Sequence, residues 1–212
     1  MDDLLPRLAF TVPEAGNLDP SSLFPERPEA LWLEIGFGAG EHLAWQAAQN
    51  PSHGLIGAEI FVNGIASLLA QIETESLENI RIFQGDGREL LACLPTASID
   101  RAFALFPDPW RKTRHHKRRL IQAETMDELA RVLVDGAELR LASDHRAYVA
   151  WMVEHVTAHP SFAWLARSPR DWRQRPSDWP ATRYEQKALA EGRPAAYLRF
   201  RRHPRNRSES AT

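Results

Sequence analysis

The sequence predicts an α/β domain with a doubly wound, mostly parallel sheet of seven strands and helices on both faces. Two observations carry this prediction. Short β-type runs alternate along the chain with helical stretches, which is the pattern of parallel strands joined by crossover helices. The 212 residues are 43% hydrophobic and 25% charged, an ordinary composition for one domain with a sizeable core.

The seven predicted strands are short runs dominated by apolar residues. They are Leu31–Gly36, Leu55–Ile60, Ile80–Gly85, Arg101–Phe106, Ala137–Ala142, Phe162–Ala166 and Ala195–Arg201. Four helices are predicted between them: His42–Gln49, Val62–Glu73, Arg118–Val134 and Arg146–Val156. The second of these carries Ile65, Leu68 and Ile72 at helical spacing, so one face is expected to pack on the sheet.

Three segments fall outside this alternation. Residues 1–30 are rich in proline and turn formers without a sustained period, which predicts a loose leader before a domain at 31–202. Residues 168–185 begin with a long irregular stretch containing Pro, Trp and Arg. Such a stretch inside a domain favours a substrate-facing loop, with a tryptophan-anchored surface loop as the alternative. Residues 203–212 are predicted to form a flexible tail.

Composition disfavours several classes of protein. No apolar run approaches the roughly 20 residues of a membrane span. The start, MDDLLPRLAF, has neither the basic region nor the long apolar region of a secretory signal. The single cysteine, Cys93, excludes an intrachain disulfide and a multi-cysteine metal cluster. We therefore expect a cytoplasmic protein without a membrane partner and without a metal site.

The charge of the chain is divided unevenly between its halves. Residues 1–106 hold 5 Lys or Arg and 15 Asp or Glu, whereas residues 107–212 hold 21 and 13. The net charge of −2 hides this division. A basic half favours contact with nucleic acid or with a membrane surface.

The stretch Leu105–Arg119 joins an isolated carboxylate to a dense run of cations. Asp108 lies between two prolines and is followed by Trp110. The next nine residues, Arg111–Arg119, here called the basic segment, contain six Lys or Arg and two His. An acid and an aromatic beside such a run favour a site for a base at the edge of a surface for phosphates. A solvated helix start has the same charge pattern, and Trp110 would then pack beneath the segment.

Five predicted strands end at or beside an acidic residue. These are Glu34, Glu59, Asp86, Asp108 and Asp144. Ligands of open α/β sheets bind beyond the carboxyl ends of the strands, although one acid there can simply cap the next helix. Five acids at one edge repel a pyrophosphate and accommodate a cationic nucleoside without phosphates. S-adenosyl-L-methionine is such a ligand.

A glycine-rich turn follows the first strand. Gly36, Gly38 and Gly40 let the backbone turn sharply and let a ligand approach closely. The turn departs from the dinucleotide motif because Glu41 occupies a position that requires Gly or Ala. Glu59 follows Gly40 by 19 residues, the offset at which a carboxylate contacts ribose hydroxyls.

Six stretches resemble the bacterial tRNA (guanine-N7-)-methyltransferases, a family of Rossmann-like class I methyltransferases. They are LEIGFGAG at 33–40, GAEI at 57–60, GDG at 85–87, FPDPWRKTRHHKRR at 106–119, ASD at 142–144 and TRYE at 182–185. The resemblance runs from about Leu31 to Phe200. It implies methyl transfer from S-adenosyl-L-methionine to N7 of guanine 46 in the variable loop of tRNA. The implied partner is tRNA. The sequence itself shows no requirement for another protein, and it leaves both a monomer and a homodimer open.

The resemblance implies roles for individual residues. Asp108 is the implied catalytic residue. The implied cofactor-binding residues are Glu34, Gly36, Gly38, Gly40, Glu59, Asp86 and Asp108. The implied substrate-binding residues are Lys112, Arg114, His115, His116, Lys117, Arg118, Arg119, Asp144, Thr182, Arg183, Tyr184 and Glu185.

Guanine N7 has a lone pair and no proton, so the reaction requires orientation rather than deprotonation. Asp108 is therefore expected to position the base and to stabilise its developing charge. Glu185 is expected to accept from the guanine N1 and N2 hydrogens, to form a capping box with Thr182, or to do both. Arg118 and Arg119 either contact phosphates or begin the long helix.

Three other functions stay open. They are a class I methyltransferase with another substrate, a binding protein that has kept the fold and lost the chemistry, and a nicotinamide-dependent oxidoreductase. Glu41 and the acidic crevice disfavour the last of these.

Overall fold

The computed structural model describes residues 4–13 and 18–205. Its strands are β1 (Ala9–Phe10), β2 (Leu31–Ile35), β3 (Gly54–Glu59), β4 (Ile80–Gln84), β5 (Ile99–Leu105), β6 (Leu133–Ser143), β7 (Phe162–Trp164) and β8 (Ala196–Arg202). Within these residues they form one eight-stranded sheet in the order β1-β4-β3-β2-β5-β6-β8-β7. The strands from β1 to β6 pair in parallel, and β8 pairs antiparallel with β6 and β7. The predicted doubly wound, mostly parallel sheet is confirmed, and all seven predicted strands are present.

The helices from α2 onward occupy connections between the strands, and α1 precedes β1. They are α1 (Leu5–Leu8), α2 (Glu41–Gln49), α3 (Val62–Glu75), α4 (Gly87–Cys93), α5 (Ala123–Val132), α6 (Arg146–Ala158), α7 (Arg170–Arg173) and α8 (Arg183–Ala190). Two 3₁₀ helices lie at Pro20–Leu23 and Thr113–Arg118. Three of the four predicted helices agree with α2, α3 and α6 to within two residues at each end.

The predicted helix Arg118–Val134 is wrong at both ends. Gln122 has extended backbone angles and precedes α5. Its side-chain amide donates to the carbonyls of Lys117 and Arg119 at 2.9 and 2.7 Å, which closes the preceding 3₁₀ turn. At the other end, Leu133 already belongs to β6 and pairs with Ile99 of β5. The apolar stripe therefore covers a helix and the start of a strand.

The prediction of a loose leader does not fit the described part of residues 1–30. Ala9 and Phe10 pair with Ile82 and Phe83 at the edge of the sheet, and the rings of Phe10 and Phe83 lie 5.8 Å apart. A two-residue strand has no periodicity, so the sequence carried no signal for it. Residues 1–3 and 14–17 lie outside the described residues.

The predicted flexible tail is described only as far as Arg205. The guanidinium of Arg205 donates to the carbonyls of Arg131 and Leu133, both at 2.7 Å, and pairs with Asp135 at 2.5 Å. A cation there complements the carbonyl end of α5. Residues 206–212 lie outside the described residues.

The sheet is buried on both faces at its centre. All five residues of β2 are buried. Leu33 belongs to the apolar cluster beneath α4, α5 and α6, and Trp32 to the one beneath α2 and α3. Successive side chains of a strand alternate between faces, so Glu34 points toward α2. The chain winds in opposite directions from β2 and from β5, and such a switch point opens a crevice at the carboxyl ends of the strands.

Candidate active site at the switch point of the sheet

A cleft of about 320 Å³ opens at the carboxyl ends of β2 and β5. Three chain segments line it: residues 34 and 36–42, residues 105–106 and residues 182–184. The structure therefore brings together the glycine turn, the end of the strand before Asp108 and the TRYE stretch. These segments are separated by more than 60 residues along the chain, and their meeting at the switch point agrees with the crevice expected from the fold.

Glycine is required in the turn for two different reasons. Gly36, Gly38 and Gly40 have φ of +72°, +56° and +80°, which L side chains rarely adopt. A Cβ at Gly36 or Gly38 would meet nothing within 4 Å, whereas a Cβ at Gly40 would lie 2.7 Å from the Leu68 side chain. Gly64, in the first turn of α3, permits close packing, because a Cβ there would lie 2.2 Å from the Gly38 carbonyl oxygen. Sequence reasoning missed Gly64, since its partner is distant in the chain.

Glu59 holds the glycine turn against the end of β3 by hydrogen bonds. Its Oε2 accepts from the Gly38 backbone N–H at 2.8 Å, and its Oε1 accepts from the N–H groups of Ile60 and Phe61 at 2.8 and 3.0 Å. The side chain is buried. A carboxylate with three backbone donors holds the turn in place. Its contact with ribose hydroxyls stays a prediction.

The remaining strand-end acids have different surroundings. Glu34 lines the cleft and accepts from His42 Nδ1 at 2.7 Å. Asp86 caps the N-terminus of α4 and forms an ion pair with Arg88. The hydrogen bond from Arg88 holds the pKa of Asp86 below its usual value. Asp144 forms an ion pair with Arg193. For Asp86 the structure shows the helix-capping role that the sequence left open, and its cofactor contact stays a prediction.

Asp108 lies in a strained turn at the end of β5. Phe106 and Trp110, on either side of the Pro-Asp-Pro triplet, have φ of +53° and +39°. Each such residue is strained by about 1–3 kcal/mol, and strain of this kind concentrates at functional sites. Asp108 is exposed, and no hydrogen bond from the described residues reaches its carboxylate. Burial and the nearby charge of Asp108 together raise the pKa of Tyr184.

Arg119 requires a correction, because its side chain is buried rather than presented to a nucleic acid. It is 3% exposed. Its Nε donates to the Pro109 carbonyl at 2.9 Å, and its guanidinium lies 4.5 Å from the centre of the Trp151 ring. Burial lowers the pKa of Arg119. Arg119 therefore has a structural role, because its hydrogen bond to Pro109 supports the Asp108 turn. It does not begin the long helix, since α5 starts at Ala123.

The rest of the basic segment is mostly at the surface. The exposed members are Arg111, Lys112, Thr113, Arg114, Lys117 and Arg118. His115 and His116 are half-buried, and the His116 ring packs edge-on against Trp151. Arg118 lies 5.0 Å from the centre of the Trp110 ring, and His115 packs edge-on against the same ring. Trp110 therefore packs within the basic segment, as in the structural alternative.

The TRYE stretch begins α8 and closes one side of the cleft. Thr182 Oγ1 accepts from the Glu185 backbone N–H at 3.2 Å, so one half of the predicted capping box is present. The backbone N–H of Arg183 donates to Glu41 Oε2 at 2.7 Å, and its side chain forms an ion pair with the same carboxylate. The Tyr184 ring lies 5.0 Å from the ring of Phe106. These contacts hold α8 against both the glycine turn and the Asp108 turn.

Glu185 is buried behind the cleft rather than exposed in it. Its Oε1 accepts from the hydroxyl of Tyr197 and lies 3.4 Å from Arg175 Nη1. Its Oε2 is buried and has no hydrogen-bond partner among the described residues. Burial and the adjacent carboxylate raise the pKa of Tyr197. One oxygen of Glu185 is thus engaged and the other is left for a partner, and its role in reading guanine stays a prediction.

Two further side chains near the cleft carried no recognisable signal in the sequence. His42 lines the cleft beside Glu34, and Trp179, from the 168–185 segment, packs against it with ring centres 5.7 Å apart. Trp179 is 3% exposed. The irregular segment is therefore anchored by a tryptophan, and residues 182–184 at its end line the cleft. Its role as a substrate-facing loop stays a prediction. No helix in the described ranges is both long and apolar enough to cross a membrane.

Comparisons with known proteins identify the family of this chain. A family model described as "Putative methyltransferase" matches residues 28–198. A tRNA (guanine-N(7)-)-methyltransferase of Rhodospirillum rubrum is 53% identical over 210 residues, covering 97% of this chain and 82% of that protein. The enzyme of the same name from Paramagnetospirillum magneticum is 52% identical over 207 residues, covering 97% and 86%.

Solved structures are similar in fold at low sequence identity. An rRNA methylase from Streptococcus thermophilus has a TM-score of 0.57 at 12% identity, covering 82% of this chain and 87% of that chain. A 16S rRNA methyltransferase has a TM-score of 0.56 at 14% identity, covering 87% and 91%. At these identities the likeness concerns the fold alone. The sequence matches are closer and span nearly the whole chain, and by them this chain belongs to the family of the tRNA (guanine-N7-)-methyltransferases.

Proposed function

We propose that this protein transfers a methyl group from S-adenosyl-L-methionine to N7 of guanine 46 in the variable loop of tRNA, in the cytoplasm. The proposal rests on one observation: three features lie together at one edge of the sheet. They are the switch-point cleft, the exposed carboxylate of Asp108 and the exposed part of the basic segment. Family membership supports the same reaction.

The cleft fits a cationic nucleoside. Its volume of about 320 Å³ lies at the lower end of the range for small-molecule sites. Gly36 and Gly38 leave open space where a Cβ would stand, so a ligand can approach their backbone. Glu34 contributes a negative charge to the wall. We propose that Glu34 and the glycine turn hold the cofactor, with Glu59 and Asp86 in support, and when bound the cofactor supplies an electrophilic methyl group.

Asp108 is suited to a base that gains positive charge. Its carboxylate is exposed and accepts no hydrogen bond from the described residues, so it is available to a substrate. The strained turn, with two fixed proline φ angles, limits its movement. A carboxylate held beside the ring stabilises the charge that develops when N7 is alkylated. Asp108 therefore orients guanine and stabilises its cationic product, and it removes no proton.

The exposed cations extend the site toward RNA phosphates. The deep, narrow major groove of A-form RNA hides N7, so the target guanine must lie in a loop or be displaced from its stack. Lys112, Arg114 and Lys117 are exposed beside the Asp108 turn and are available to the phosphates that flank such a base. In this proposal Tyr184 and Asp144, which approach each other to 3.4 Å, border the bound base.

The proposal is tested with unmodified tRNA transcripts and radiolabelled cofactor. Guanine 46 should be methylated, as mapped by chemical cleavage at N7-methylguanosine, and a transcript with adenine at that position should not be. Asp108→Asn keeps the shape of the side chain and removes its charge, so turnover should fall at least a hundredfold while cofactor affinity is partly kept. Glu73→Gln, an exposed acid near the far end of α3, is the matched control and should leave turnover unchanged.

Two outcomes would contradict the proposal. Equal methylation of both transcripts would place the target elsewhere in tRNA and would favour a class I methyltransferase with another substrate. Full turnover by Asp108→Asn would remove Asp108 from the reaction.

A further inference from the structure

A buried chain of hydrogen bonds links the cofactor cleft to the segment that precedes α8. His42 Nδ1 lies 2.7 Å from Glu34 Oε2, and both side chains are 2% exposed. His42 Nε2 lies 3.1 Å from the amide nitrogen of Gln46. The same amide nitrogen donates to the backbone carbonyl of Asp178 at 2.9 Å. The chain thus runs from β2, through two residues of α2, to a point 132 residues further along the sequence.

The chemistry of these groups determines where the proton of His42 lies. An amide nitrogen carries two N–H donors and accepts none. Gln46 gives one N–H to Asp178, so the ring nitrogen of His42 that faces Gln46 must accept the other. The His42 proton is therefore on Nδ1 and is donated to Glu34. With a proton on one ring nitrogen only, the imidazole is neutral. It therefore orients the Glu34 carboxylate without compensating its negative charge.

The groups at the Asp178 end of this series of hydrogen bonds are firmly packed. The His42 ring is held between Phe103 and Trp179, with ring centres 4.7 and 5.7 Å away. Trp179 also packs edge-on against Tyr197. The carboxylate of Asp178 accepts from Arg140 at 2.7 Å. Residues 178–179 therefore dock beneath the cleft directly before the TRYE stretch, and any shift of this segment alters the surroundings of His42.

We propose that His42 is a positioning residue that orients Glu34 toward the cofactor and couples cofactor affinity to the docking of residues 178–179. The inference rests on the proposed function, because it takes Glu34 as a cofactor-binding residue. Gln46 transmits the coupling, since it contacts both His42 and the docked segment. Coupling between two sites is reciprocal. A bound cofactor therefore stabilises the docked segment, and the docked segment strengthens cofactor binding.

Substitutions at His42 separate orientation from packing. In His42→Asn the new side-chain amide places a donor close to the position of Nδ1, so binding of S-adenosylhomocysteine should stay within about threefold of the wild-type value. His42→Leu fills similar space without a donor and should weaken binding about tenfold, the usual size of a lost hydrogen bond to a charged group. Isothermal titration calorimetry measures both, and thermal unfolding checks that each variant is folded.

The coupling is tested at Gln46. Gln46→Leu removes both donors and should weaken S-adenosylhomocysteine binding several-fold and raise the KM for tRNA, with a smaller change in kcat. Gln49→Leu, at an exposed position of the same helix, is the matched control and should change neither. Nitrogen-15 NMR of histidine-labelled wild-type protein at pH 7.5 should find His42 protonated on Nδ1 alone, and this measurement needs no variant to fold.

Three results would overturn the inference. They are unchanged binding by His42→Leu, an equal loss in His42→Asn and His42→Leu when both are folded, and a His42 proton on Nε2. Failure of the proposed function looks different, because the wild-type protein itself would then show no saturable binding of S-adenosylhomocysteine.

Discussion

The glycine turn permits a comparison of two substitutions with the same chemistry and different surroundings. Gly36→Ala and Gly40→Ala both place a Cβ on a residue with φ near +75°, at +72° and +80°. A left-handed L residue costs roughly 1–2 kcal/mol. The reduced freedom of the unfolded chain returns about 0.4–1 kcal/mol. This shared contribution leaves a net loss of about 1 kcal/mol in the free energy of unfolding.

Only Gly40 adds a steric clash. Its Cβ would lie 2.7 Å from both Cβ and Cδ1 of Leu68, a fully buried residue of α3, whereas a Cβ at Gly36 would meet nothing within 4 Å. Overpacking of this kind costs about 1–3 kcal/mol more. We expect Gly40→Ala to lower the free energy of unfolding by about 2–4 kcal/mol and Gly36→Ala by about 1 kcal/mol.

Thermal unfolding by differential scanning fluorimetry measures the difference. For a chain of this length 1 kcal/mol corresponds to about 2–4 °C, so Gly40→Ala should lower Tm by about 4–16 °C and Gly36→Ala by about 2–4 °C. Cofactor binding should show the reverse order among folded variants, since a Cβ at Gly36 stands in the open space of the cleft. Equal losses of Tm would refute the assignment of the clash to Leu68, and unchanged binding of S-adenosylhomocysteine by Gly36→Ala would refute the close approach of the ligand.

Three further predictions concern the surroundings of Asp108. Arg119→Ala should lower the free energy of unfolding by about 1–3 kcal/mol, because it leaves the Pro109 carbonyl without its donor. The matched control, Arg118→Ala at the exposed neighbouring position, should change it by less. Equal losses of the two variants in urea unfolding would contradict the buried role of Arg119. Alanine at three exposed cations should reduce the log–log salt slope of tRNA binding by up to about three units, as measured by filter binding over a salt series, and an unaltered slope would show that these residues do not meet RNA. The three are Lys112, Arg114 and Lys117. Burial, with the charges of Arg111 and Arg119, lowers the pKa of His145 from 6.5, so the unfolded chain takes up this proton first and stability falls as the pH drops below about 6.5. His145→Asn should flatten that dependence of Tm, and parallel curves for wild type and variant would count against it.

Local sequence patterns were sufficient wherever a short stretch determines its own conformation. Alternation of strands and helices predicted seven of the eight strands that the sheet has in the described residues, because burial on both faces requires continuous apolar runs. Thr182 and Glu185 predicted a capped helix start, because the interaction spans only three residues. The same reasoning failed at Leu133, where an apolar stripe continues from a helix into a strand. Periodicity cannot mark a boundary across which both elements bury the same residue types.

The tertiary structure alone decided which charged groups are exposed at the candidate site and which are internal. The sequence predicted five acids and a basic segment at one edge, but Arg119 turns inward beneath the Asp108 turn and Glu59 is engaged by the glycine turn. The chain of bonds through His42 joins residues of β2, α2 and the loop before α8, and no window of sequence contains all three. Such contacts depend on the spatial order of the strands in the sheet, which brings distant segments together. By itself the sequence determined the fold and the family. Packing between distant segments determined which charged side chains of the site are buried and which groups they bond.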